Sequence, residues 1–173
     1  SGPGGTAGIF VHEKHANKPE LPRFAGWWGT PPDDRFLMKK GFQPDYGADG
    51  WQLSNAPVLA MAVQNLSLDL YNEAGRERLI EKQKDLTAYL EFVLNDISER
   101  IESINFEIIT PKERGSQLSI LTHGSGKELF NKISEEGVVA DWREPNVIRL
   151  APVPLYNSFY DVYRFGQIIE KSL

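Results

Sequence analysis

Two places in the chain join residue types able to do chemistry with a pattern that would aim them. The first is Ser54-Asn55, set directly before Ala56-Pro57 and a long apolar run. Serine or asparagine there reads as a helix N-cap, and proline is tolerated in a first helical turn because its missing N–H has no partner to lose. Free amides and the positive end of the helix dipole make such a terminus suitable for phosphate. Plain capping satisfies the same pattern. The second place is Arg149, inside Val147-Ile148-Arg149-Leu150-Ala151. An arginine among aliphatics needs an anion, because burying it unpaired is costly. Its planar fork of donors matches a carboxylate. That anion can come from an acidic ligand or from an internal ion pair, and the sequence leaves both open.

Other candidates carry less. Gly2-Pro3-Gly4-Gly5-Thr6-Ala7 has the spacing of a dinucleotide fingerprint, but that motif needs a strand before it and a helix after it, and here a strand is expected to follow. His12 and His15 are three residues apart at the end of that strand, not four apart on a helix as in zinc proteases. A surface or interface role is expected for them, and a solvated loop for His123. No glycine-flanked nucleophile elbow is present. Asp33-Asp34 and Glu135-Glu136 read as solvated pairs. The chain has no cysteine, which removes disulfides, thiolate metal sites and thiol nucleophiles.

The elements that must hold these residues follow from pattern. Residues 6–11, Thr-Ala-Gly-Ile-Phe-Val, read as a short buried strand. A proline-rich irregular segment follows, with prolines at 19, 22, 31 and 32. Residues 51–71 open a helix whose apolar stripe (Val58, Met61, Ala62, Leu66, Leu70) predicts burial. An Asn72-Glu73-Ala74-Gly75 break leads to an amphipathic helix over about 73–104, with Leu79, Leu86, Leu90, Val93, Ile97 and Ile101 on one face. Beyond it, strands are predicted over 106–110, 116–122, 138–142 and 147–151. Helices are predicted over 127–136, ended by Gly137, and over 158–172. This is a small sheet with helices packed on it.

Composition bounds the function class. Of 173 residues, 24 are acidic and 19 basic, a formal net charge of −5. Nucleic acid is a poor partner for such a chain, since phosphate backbones are held by excess Lys and Arg. No apolar run is long enough to span a membrane, and no signal-peptide pattern opens the chain. A cytoplasmic protein is expected, and the absent initiating methionine suggests a processed or excised piece of a longer one.

Four stretches jointly resemble kynureninase: residues 1–15 (SGPGGTAGIFVHEKH), Gly26-Trp27-Trp28-Gly29, Leu53-Ser54-Asn55-Ala56-Pro57, and residues 146–159 (NVIRLAPVPLYNSF). The resemblance runs through essentially the whole chain in order. It implies an α/β fold of the fold-type-I pyridoxal-phosphate (PLP) transferase kind. Residues 1–72 would be the end of the large cofactor domain and the start of a connecting helix; residues 73–173 would be that helix and an α+β small domain. It further implies a cytoplasmic homodimer that hydrolyses L-kynurenine, or its 3-hydroxy form, to anthranilate or 3-hydroxyanthranilate plus L-alanine, in tryptophan catabolism and NAD biosynthesis. Trp27 matches the tryptophan that donates to the cofactor phosphate. Asn55 matches the asparagine near phosphate and substrate, Ser54 lies in the substrate-specificity region, and Arg149 matches the arginine that binds the substrate α-carboxylate. Ala56 stands where many relatives have proline. The family's cofactor lysine would precede Ser1, so residues 1–173 alone supply no catalytic residue and are expected to be inactive. A cysteine desulfurase relative would need a mobile cysteine, which is missing. A free-standing small-ligand or interaction module of α+β type is the other alternative.

Overall fold

The computed structural model describes residues 4–101, 106–124 and 126–173. They form two compact units, residues 1–70 and 71–173. No described helix is long and apolar enough to cross a membrane.

In the first unit the prolines keep the backbone irregular. Regular structure is limited to one helical turn, α1 (Glu13–Ala16), and two 3-10 turns at Trp27–Gly29 and Asp49–Trp51. His12 caps α1, its ring Nδ1 accepting the Lys14 amide at 3.1 Å. The strand expected over 6–11 is not formed: none of these residues is in a β-strand, and Ile9 and Phe10 are exposed. An apolar β-branched run becomes a strand only when another strand takes up its amides.

The helix α2 (Val58–Ala74) begins later than its predicted cap. Pro57 supplies the carbonyl that accepts the first helical amide, that of Met61, at 3.0 Å. Ser54 lies in a bend and Asn55 in irregular chain before it, and neither caps the helix. The proline ring disfavours helical geometry at Ala56, and the segment before it stays open. The expected burial of α2 also fails, for it has no buried residue among 17. The partition between the units falls within this helix.

Gly75, at φ 83°, breaks the chain between α2 and α3 (Arg76–Arg100). Positive φ is cheap only for glycine, so the break predicted around residue 75 has a local cause. From α3 onward the second unit follows its pattern closely. Leu86, Leu90, Leu94 and Ile97 recur at four and three and are all buried. Ile104, which the pattern also assigned to this helix, lies outside the described residues.

Four short strands follow: β1 (Phe106–Ile108), β2 (Leu118–Thr122), β3 (Asp141–Arg143) and β4 (Val147–Leu150). Between β2 and β3 runs α4 (Gly126–Glu135), and the chain ends in α5 (Phe159–Ser172). The strands form one antiparallel sheet in the order β1-β2-β4-β3. Its period of two puts Phe106, Leu118, Ile120, Ile148 and Leu150 on one face, where they pack with Leu86, Leu94, Ile97, Ile133 and Ile169 from the three helices. Each fully buried Leu or Ile contributes roughly 1.5–3 kcal/mol. α5 approaches α3 so closely that a Cβ at Gly166 would meet Val93 Cγ1 at 2.7 Å.

Candidate functional site

In the first unit the sequence-predicted residues come from two segments held together by a glycine. An added Cβ at Gly26 would lie 2.2 Å from the Leu53 Cα. Only glycine lets the Gly26-Trp27 turn press against the backbone that leads into Ser54 and Asn55. Ser54 and Asn55 are exposed. The Ser54 carbonyl accepts the Gln52 side-chain amide at 3.0 Å. The Ser54 hydroxyl and the Asn55 amide have no hydrogen-bond partner among the described residues, so both remain available to a ligand.

Trp27 is placed differently. Its ring is 53% exposed, and it stands edge-on to Phe36 at 5.3 Å. Its indole N–H donates to the Arg35 carbonyl at 2.7 Å. The donor expected for a phosphate is therefore engaged within the unit. Arg35 lies over the Trp28 ring at 4.3 Å and donates to the Trp28 and Thr30 carbonyls, which fixes the backbone that holds Trp27.

In the second unit Arg149 is on β4, and the strand splits its side chains as the alternation requires. Ile148 and Leu150 are buried, while Arg149 points to the opposite, open face of the sheet with its side chain 33% exposed. Register places it between Ser119 on β2 and Asp141 on β3. Its Nε–H donates to Asp141 Oδ2 at 2.5 Å, and its Nη2 contacts the same oxygen. Arg143 also donates to that oxygen through Nε, at 2.9 Å. Partial desolvation pushes the Asp141 carboxyl upward, but the Arg149 hydrogen bond and the nearby Arg143 and Arg149 charges outweigh it and hold the group below its ordinary value.

Asp141 and Arg143 are the residues that the sequence reading passed over. The signal was present in the hairpin: a turn centred on Pro145 pairs position 141 with 149 and 143 with 147. Asp141 then faces Arg149 by register alone. The histidine string resolves into capping and packing. His12 caps α1, and His15 Nδ1 is buried without a partner, desolvation followed by the neighbouring Lys14 and Lys18 charges lowering its pKa. No group of three metal-ligating side chains exists among the described residues. A cavity of about 440 Å³ opens beside α5 and is lined by Leu90, Val138, Leu150, Pro152 and Phe165. It lies on the helix side of the sheet, away from Arg149.

The family model described as the kynureninase C-terminal domain matches residues 79–169. The kynureninase of Christiangramia forsetii is 54% identical over 100% of this chain and 41% of the relative. That of Flavobacterium johnsoniae gives the same figures, and that of Koribacter versatilis is 48% identical over 99% of the chain and 40% of the relative. The chain thus spans about two fifths of the length of the curated relatives it matches. Among solved structures, the cysteine desulfurase CsdA of Escherichia coli superposes with a TM-score of 0.67 at 13% identity, covering 87% of this chain and 38% of that one. The cystine C–S lyase C-DES superposes with a TM-score of 0.63 at 13% identity over 86% and 38%. At such identity these two show the fold, which is that of the fold-type-I PLP enzymes, as the sequence implied.

Proposed function

Because the chain belongs to the kynureninase family, we propose that the full-length protein containing it is a PLP-dependent hydrolase that cleaves L-kynurenine, or 3-hydroxykynurenine, to the corresponding anthranilate and L-alanine. Identity of 54% to kynureninases over the whole chain carries this reading. When bound, the cofactor supplies an electron sink for charge developing at the substrate α-carbon.

The residues of this chain bind and orient. Asn55 donates its side-chain amide to the cofactor phosphate, with the Ser54 hydroxyl beside it toward the substrate; both are exposed and uncommitted, which fits a phosphate group. Trp27 would hold the phosphate through its indole N–H, which in this structure is donated to the Arg35 carbonyl. Arg149 receives the substrate α-carboxylate. Residues 1–72 act as part of the cofactor domain and 73–173 as the small domain. The enzyme works as a homodimer, a reading that the exposed apolar side chains of residues 4–70 favour.

A second reading is favoured by one observation. The Asp141 contact already gives Arg149 an internal anion, so the arginine could serve structure alone. Full-length Arg149→Lys and Arg149→Ala enzymes separate the two, with melting temperature, cofactor affinity and kynurenine turnover measured on each. A carboxylate role predicts a severe fall in kcat/KM at near-normal melting temperature, because lysine keeps the charge and loses the fork. Lost stability with near-normal efficiency in the folded enzyme would leave the ion pair as the whole role. In parallel, Asn55→Ala and Trp27→Phe should each weaken PLP binding about tenfold, as charge-assisted hydrogen bonds of roughly 1.5–3 kcal/mol imply. Unchanged cofactor affinity in both would mean that they only pack.

A further inference from the structure

The open face of the sheet holds a cluster of three charges on two paired strands. Arg149 and Asp141 face each other across β3 and β4 by register. Arg143 is two residues along β3 on the same face and reaches the same carboxylate oxygen as Arg149. We propose that Asp141 is the positioning residue of Arg149, and that Arg143 keeps the cluster cationic, so that the three together form a receiving surface for the substrate carboxylate. The proposal rests on the reading of Arg149 as the α-carboxylate residue.

The geometry carries it in two steps. A guanidinium has five N–H donors on a rigid plane. Asp141 takes the side edge, contacting Nε and Nη2 with one oxygen. The end edge, formed by Nη1 and the second hydrogen of Nη2, has no partner among the described residues. Those two parallel donors are the pair a second carboxylate would accept. A long side chain one third exposed would otherwise have to be ordered at the moment of binding; Asp141 orders it beforehand.

Charge provides the second step. Arg149 and Asp141 by themselves sum to zero and carry no net charge to draw in an anion from a distance. Arg143 raises the cluster to a net single positive charge, which an arriving carboxylate neutralises. The other acid on this face, Glu107 on β1, lies 3.7 Å from His123 and is not bonded to the cluster.

The opposite possibility is that Asp141 competes with the substrate for Arg149, and the two differ in sign. In the full-length holoenzyme, Asp141→Asn should raise KM for kynurenine roughly tenfold if positioning dominates, with kcat changed less than about twofold, the pattern of lost uniform binding. Inhibition by kynuramine, the same molecule without the α-carboxylate, should be equal in the variant and the parent. Arg143→Gln should raise KM by a smaller factor and flatten its dependence on salt. A KM that falls or stays unchanged in Asp141→Asn overturns the proposal, as does an equal weakening of kynuramine inhibition. If Asp141→Asn does not fold, Asp141→Glu, which keeps the charge and shifts it by one methylene, is read by the same two measurements and the same outcomes. Arg149→Lys is run beside them. If it too leaves KM and kynuramine inhibition unchanged, the carboxylate role of Arg149 has failed; if it separates kynurenine from kynuramine while the Asp141 variants do not, the positioning role alone has failed.

Discussion

The two units of this chain use similar proportions of apolar residues to opposite effect. In residues 71–173 Leu86, Leu94, Ile97, Leu118, Ile120, Ile133, Ile148 and Ile169 are all fully buried. In residues 4–70 the only buried hydrophobic side chain among the described residues is that of Ala16, while Phe10 is 86% and Leu59 84% exposed. A sheet covered by three helices closes its own core. An irregular segment leading into a single helix has no second layer to close against. Exposed apolar surface of this extent is characteristic of an interaction surface. The second unit closes its own core beneath the strand that carries Arg149, and the first leaves its large apolar side chains exposed.

The sharpest way to break this comparison is to cut cores. In residues 71–173 expressed alone, unfolding should be cooperative, and Leu86→Ala should cost about 2–5 kcal/mol in urea denaturation. In the whole chain, Leu59→Ala should move stability by less than about 0.5 kcal/mol. Equal costs at the two positions would erase the distinction between the units.

A smaller effect tests how tightly the finished unit is packed. Gly166→Ala would set its methyl 2.7 Å from Val93 Cγ1 and should cost about 1–3 kcal/mol. Val93→Ala in the same chain should recover part of that loss, since it removes the atom that is struck. No recovery would place the strain elsewhere.

The smallest effect concerns the cap of α5. Ser158 and Asp161 form a reciprocal capping box, and Ser158→Ala should cost about 1 kcal/mol. The Ser158 backbone amide, and then its hydroxyl, hold the Asp161 carboxyl below its ordinary value of 3.8. A depressed carboxyl contributes stability that is complete above 3.8 and is lost as pH falls through the lower folded value. The stability gap between the parent and Asp161→Asn, measured by denaturation at pH 6 and pH 3, should therefore shrink at the lower pH. A gap that widens on acidification would contradict the assigned sign.

Much of the second unit was legible because its signals are local. The Leu86-Leu90-Ile97 stripe, the glycine breaks at 75 and 137 and the alternation around Arg149 act within a few residues of one another, and a helix or strand obeys them wherever it is built. The 106–122 and 138–151 strand pairs form with ends that differ from the pattern by at most three residues. In the first unit the same rules misfired. Residues 6–11 have the composition of a strand and form none, and residues 58–71 have the stripe of a buried helix and are uncovered.

By itself the sequence determined which residues can form an element and which side of it each one takes, because φ/ψ preference, capping and period depend on near neighbours. Arg149 was thereby set opposite Ile148 and Leu150 before any contact was known. Only the tertiary structure decided what each side meets. It gave Arg149 the carboxylate of Asp141 and the company of Arg143, gave the Trp27 indole to a carbonyl of Arg35, and left the Asn55 side chain without a partner among the described residues. Those outcomes depend on hairpin register and on the close approach of Gly26 to Leu53, which bring together groups far apart along the chain, and no local rule contains them.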